Sequence, residues 1–80
     1  MTRNPHLVAL GKQIRTLRKA KGFSQETFAN EMEFGRSYFG GFERGDRNVS
    51  AINLIRIAKA LDVEVGDLFP KIKSLSDTEE

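Results

Sequence analysis

The chain has 80 residues, with 13 Lys and Arg against 11 Asp and Glu, a single histidine and no cysteine. That is one domain at most, with a small core that a partner subunit would help to stabilise, and the lack of cysteine excludes a disulfide framework or a thiolate metal site. No apolar run approaches the ~20 residues of a membrane span, and the opening MTRNPHLVALGKQ has no long apolar stretch or small-residue cleavage site, so a soluble, cytoplasmic protein with no membrane partner is expected.

Residues 1–5 read as a frayed arm, with Pro5 suited to a helix entry. His6 stands outside any cluster and takes no catalytic or metal role. Leu7, Leu10, Ile14 and Leu17 form one helical stripe. Lys12, Arg15, Arg18, Lys19 and Lys21 fill other positions, as a solvated helix face or as a basic surface for nucleic acid. The charge is uneven: residues 1–73 hold all 13 basic residues against eight acidic ones, a balance of +5, because Asp77, Glu79 and Glu80 sit at the end. Gly22 suits a left-handed helix stop.

Ser24 reads as an N-cap, with Gln25 and Glu26 at the positive end of a second helix of about residues 25–32 that carries Phe28, Ala29 and Met32. EFG at 33–35 is a tight turn. A third helix runs from Arg36 to Arg44, with Phe39 and Phe42 on its inner face, and GDRN at 45–48 is a loop. Ser50 is another N-cap, with Val49 stapled onto Leu54. Leu54, Ile57, Ala58 and Leu61 make a fourth helix that Asp62 breaks. EVGDLF at 64–69 predicts a short fifth helix ended by Pro70, and the acidic tail at 74–80 is expected to be disordered. The fold class is all-α: five short helices without a convincing strand, in one domain over residues 1–73 with its core at about 7–69.

Helices two and three with their short turn make a helix-turn-helix, a unit rigid enough to project one helix into a major groove about 12 Å wide. Phe28 and Ala29 must then pack against Phe39 and Phe42, Ala29 must be small, and Phe34 plugs the turn. IRTLRKAKGFSQETFANEM at 14–32, FERGDRNVS at 42–50 and LIRIAKALDVEVGDLF at 54–69 together resemble the lambda-repressor-like helix-turn-helix regulators, over roughly residues 7–69. RSYFGGFERGDRN at 36–48 is similar to the small controller proteins of restriction–modification systems. Two positions depart from the family. Glu33 stands where a glycine is common, and Gly35 where a small capping residue is. Either Glu33 is strained at positive φ or the turn is rearranged around Gly35.

On this resemblance Arg36, Ser37 and Tyr38 read the bases. Arg36 is a surface arginine or a bidentate guanine contact, and Tyr38 is a core aromatic or a DNA contact. Ser24 caps the helix end that faces the DNA, and the resemblance implies phosphate contacts from Gln25, Arg47 and Asn48. Gly40 and Gly41 are expected on the outward side, where bare backbone lets helix three approach the duplex. They could also be a weak helical stretch pinned by Phe39 and Phe42, or a close packing site against helix one or four. Glu43 would be repelled by DNA and is expected to pair with an arginine of the first helix.

Ile52, Ile55, Val63, Val65, Leu68 and Phe69 are more apolar surface than one small core needs. Some of them close the core, and the remainder is a candidate isologous dimer patch. A homodimer on a palindromic DNA operator is expected. The resemblance implies control of restriction–modification genes, its own included, with RNA polymerase as a further partner. Two rival readings are a phage or plasmid repressor or antitoxin on the same fold, and a helical protein-interaction module that has lost DNA binding. No cofactor is implied, and no paired carboxylates or nucleophile–base pair point to an enzyme.

Overall fold

The computed structural model describes residues 4–71; the acidic tail at 74–80 and its expected disorder lie outside the described residues. The described residues form helices α1 (Pro5–Ala20), α2 (Gln25–Met32), α3 (Arg36–Arg44) and α4 (Ala51–Leu61), followed by a 3-10 helix at Val65–Leu68. The expected short fifth helix is present as a 3-10 helix, shorter than residues 64–69. Pro70 disfavours helical backbone at the residue before it, and Phe69 is extended, with φ −97° and ψ 141°.

Three of the four described α-helices are N-capped by the side chain of a short polar residue. Ser24 Oγ accepts from the Thr27 N–H, and Ser50 Oγ accepts from the Asn53 N–H, as expected for both. Asn4 is the third: its Oδ1 accepts from the N–H groups of His6 at 2.8 Å and Leu7 at 3.3 Å, so of the expected frayed arm residues 4 and 5 belong to the helix start, and residues 1–3 lie outside the described residues. Pro5 then occupies the first helical position, where its missing N–H costs nothing.

The four α-helices share one ending. In each, a residue in the left-handed region is followed by one whose N–H reaches back five residues: Phe23 to Arg18, Phe34 to Ala29, Asp46 to Gly41 and Val63 to Ala58. Gly22 and Gly45 occupy this conformation in two helices, but Glu33 (φ 61°) and Asp62 (φ 59°) occupy it in the others. The turn between α2 and α3 is thus not rearranged around Gly35, which is extended at φ −63°, ψ 144°. Glu33 bears the strain of about 1–2 kcal/mol that a side chain meets there. Phe34, the next residue, is driven into the core and holds the turn closed.

The core is aromatic at the helix-turn-helix and aliphatic behind it. The Phe28 and Phe39 rings lie 5.3 Å apart across the α2–α3 contact. Phe34 meets Phe39 at 6.0 Å and Phe42 at 5.6 Å. Ala29 is fully buried, as a close helix approach demands. Ile14, Ile57, Leu61 and Leu68 complete the interior. α1 packs against α3 and the 3-10 helix, and α4 packs against α2 and the 3-10 helix. Helix α3 is therefore held from two sides while its opening turn stays outside.

Candidate nucleic-acid interface

Seven side chains expected at the DNA surface come from three places. Ser24 and Gln25 open α2, Arg36, Ser37 and Tyr38 open α3, and Arg47 and Asn48 lie in the loop after it. All are exposed except Gln25, which is half-buried. Gly35 caps α3 without a side-chain bond, so the first N–H groups of that helix stay open beside Arg36, Ser37 and Tyr38. Tyr38 keeps 39% of its surface exposed. Its ring makes T-shaped contacts with Phe42 at 4.6 Å and Phe34 at 5.9 Å, so part of it is anchored in the aromatic core while the rest reaches the surface. The two alternatives for Tyr38 thus merge: it is half core and half surface.

Gly40 and Gly41 are not bare outward backbone; both are buried. A Cβ on Gly40 would lie 3.1 Å from Arg44 Nη1 and 3.5 Å from Gln25 Oε1, and one on Gly41 would lie 3.0 Å from Arg47 Cγ. The two glycines are seats. The Arg47 stem lies across Gly41, and its guanidinium reaches the Tyr38 ring at 5.8 Å. Arg44 lies over Gly40, its Nε bonded to Asp46 Oδ2 at 2.8 Å. The glycines remove bulk, as expected, but arginines fill the space. Arg44 was not among the residues singled out from sequence. The signal was available: helical side chains lean toward the N-terminus, so residue 44 covers position 40 one turn earlier.

Close helix–helix packing does occur through a glycine, but at Gly11 of α1. A Cβ there would fall against the carbonyl oxygens of Phe42 and Glu43 on α3.

Glu43 is buried and structural, as expected. Arg18 of α1 grips it with two bonds, Nε to Oε2 at 2.6 Å and Nη2 to Oε1 at 3.0 Å. Arg18 Nη1 also donates to the Phe23 carbonyl at 2.7 Å, and Gln25 Nε2 donates to Glu43 Oε1 at 2.9 Å. One buried carboxylate therefore ties α1, the start of α2 and α3 together, and it fixes the orientation of Gln25. Among the described residues every buried side-chain nitrogen and oxygen has a partner.

The expected dimer residues divide. Ile52, Ile55 and Phe69 are 71%, 49% and 42% exposed. Val63 and Val65 are half-buried against the core. Leu68 has no exposed surface and belongs to the interior, because the 3-10 helix turns it inward; it cannot face a partner chain. Among the described residues no helix is long and apolar enough to cross a membrane.

The family model described as Helix-turn-helix matches residues 14–68. The chain is 44% identical over 69 residues to the control protein C.BamHI of Bacillus amyloliquefaciens, covering 85% of this chain and 84% of that one. The fold is similar to the crystal structure of the restriction–modification controller protein C.AhdI from Aeromonas hydrophila, with a TM-score of 0.74 and 54% identity over 79% of this chain and 96% of that one. It is also similar to the biofilm regulator SinR in complex with DNA, with a TM-score of 0.69 and 33% identity over 74% and 95% of the two chains. With a strained but closed turn between α2 and α3 and an exposed opening turn on α3, the chain belongs to the helix-turn-helix family of transcription regulators, and within it is of the controller-protein type.

Proposed function

We propose that this protein is a sequence-specific DNA-binding regulator that acts in the cytoplasm as a homodimer on a palindromic operator. The observation that carries this is the exposed opening turn of α3, where Arg36, Ser37 and Tyr38 stand together. Arg36 and Ser37 read base edges in the major groove. Tyr38 and Arg47 act as one unit, the stacked guanidinium meeting a phosphate or a base edge at the rim of the groove. Asn48, Gln25 and the first N–H groups of α2 behind Ser24 hold the sugar–phosphate backbone. Gly40 and Gly41 contribute through the arginines seated on them. The described fold, as one domain within residues 1–73, is the reading head of one half-site.

The dimer surface is formed by Ile52, Ile55 and Phe69, with Val63 and Val65 at its edge. The similarity to control proteins supports restriction–modification genes as the targets, the regulator's own gene among them, and RNA polymerase as the machinery that its operator position helps or blocks.

Selection of bound sites from random duplex DNA tests this directly. Two-fold symmetric sites with half-site centres roughly 10 base pairs apart are expected. Failure to enrich any sequence over the input pool would overturn the DNA-reading function and leave a protein-interaction module in its place. A selected site found in the promoter of an adjacent endonuclease or methyltransferase gene would support the assignment to restriction–modification, and its absence there would favour a phage or plasmid repressor.

A further inference from the structure

One exposed charged side chain outside the interface, Arg56 on α4, makes three defined contacts. Its Nη2 donates to the main-chain carbonyl of Met32 at 2.7 Å. Its Nη1 donates to Asn53 Oδ1 at 3.2 Å. Its guanidinium carbon stands 5.1 Å from the centre of the Phe34 ring. Met32 is the last residue of α2, and its carbonyl has no donor within that helix. Phe34 is the plug of the turn. Between them stands Glu33, held at φ 61°. Arg56 thus touches the residues on both sides of the one strained position in the helix-turn-helix.

The link to reading runs through Phe34. That ring packs on Tyr38, Phe39 and Phe42, the residues that set how α3 leaves the turn. A planar guanidinium can hold a carbonyl, a side-chain amide and an aromatic face at once, whereas an ammonium cannot. We propose that Arg56 is a positioning residue for DNA recognition: from α4 it clamps the left-handed turn at Glu33, and so fixes the direction in which α3 presents Arg36, Ser37 and Tyr38. It does the work that a relaxed glycine at position 33 would make unnecessary. This rests on α3 being the reading helix.

A change in the angle of α3 affects base contacts, which demand geometry, far more than phosphate contacts, which tolerate it. Arg56→Met keeps the stem and removes the donors. Arg56→Lys keeps the charge and loses the planar fork. Affinity of the full chain is measured for the selected operator and for a random duplex, beside the melting temperature. Arg56→Met should lose about tenfold on the operator, the worth of a misplaced base contact, while the random duplex is little changed. Arg56→Lys should fall between Arg56→Met and the wild type. Adding Glu33→Gly to either variant should restore the operator affinity, because glycine adopts the turn without a clamp.

An equal loss on both duplexes, or no rescue by glycine in a folded double variant, would overturn the proposal and leave Arg56 a stabilising contact only. If Arg56→Met does not fold, Arg56→Lys carries the same comparison. A wild-type chain that binds no selected duplex removes the DNA-reading function itself, and with it this role. That outcome is seen without any variant and so is distinct from a failure of the clamp.

Discussion

Single residues at this interface separate stability from recognition. Alanine at position 41 should stabilise α3, since alanine exceeds glycine in a helix interior by about 1 kcal/mol. Its Cβ would meet Arg47 Cγ at 3.0 Å and push the stem off its seat, moving the guanidinium away from Tyr38. Gly41→Ala is therefore expected to melt higher yet bind its operator more weakly, by about 0.5–1.5 kcal/mol, the worth of one displaced hydrogen bond. A higher melting temperature with unchanged affinity would show that Arg47 needs no seat. Arg36→Ala is expected to cost about 1–3 kcal/mol on the selected operator and less on random duplex, because only a base contact discriminates. Titrations giving equal losses on both would make Arg36 a phosphate contact.

Between elements, the buried Arg18–Glu43 pair is the most vulnerable contact. Both side chains are almost fully enclosed, with 7% and 2% of their surfaces exposed. Glu43→Ala leaves the guanidinium buried and uncompensated, and a loss of about 3–5 kcal/mol follows. That is a large part of the ~5–15 kcal/mol that holds a small domain together. Thermal melts should show Glu43→Ala unfolding well below the wild type, by roughly 4–8 °C for each kcal/mol lost. The double variant Arg18→Met/Glu43→Leu should be more stable than Glu43→Ala, since no charge is stranded. If it melts lower instead, the stranded guanidinium is not what destabilises Glu43→Ala. Gln25 shares Glu43, so the double variant should also weaken DNA binding by freeing Gln25.

For the molecule as a whole, one reading head offers too few base contacts to supply the ~4–10 kcal/mol that separates specific sites from random DNA. Two heads related by a two-fold axis, with their α3 helices roughly 34 Å apart, double the number. Ile55→Asp on exposed α4 should give a folded monomer with weakened operator binding, whereas Leu68→Asp, set in the core, should not fold. Light scattering that finds Ile55→Asp still dimeric at micromolar concentration would place the interface elsewhere. Binding should also fall steeply between low and physiological salt, as the proposed phosphate contacts from Gln25, Arg47, Asn48 and the helix ends would release counterions. Titrations at two salt concentrations that give the same affinity would remove the phosphate contacts.

Residue order was enough to specify the four α-helices, the Ser24 and Ser50 caps, the stop at Gly22 and the aromatic packing of the helix-turn-helix. These depend on periodicity and on local bonds within one turn of chain, which residue order specifies directly. It also made Glu43 structural, because a carboxylate facing DNA is repelled. Other features emerge with the fold, because they depend on residues distant in sequence meeting in space. Gly11, not Gly40 or Gly41, is the glycine that lets two helices touch, since only the fold brings α3's carbonyls over α1. Leu68 is core rather than surface because a 3-10 turn rotates each residue further than an α-helix does. Glu33 tolerates a conformation that disfavours its side chain because Phe34 is buried on one side and Met32 is held by Arg56 on the other. That last contact spans 24 residues, and no local pattern in the sequence reports it.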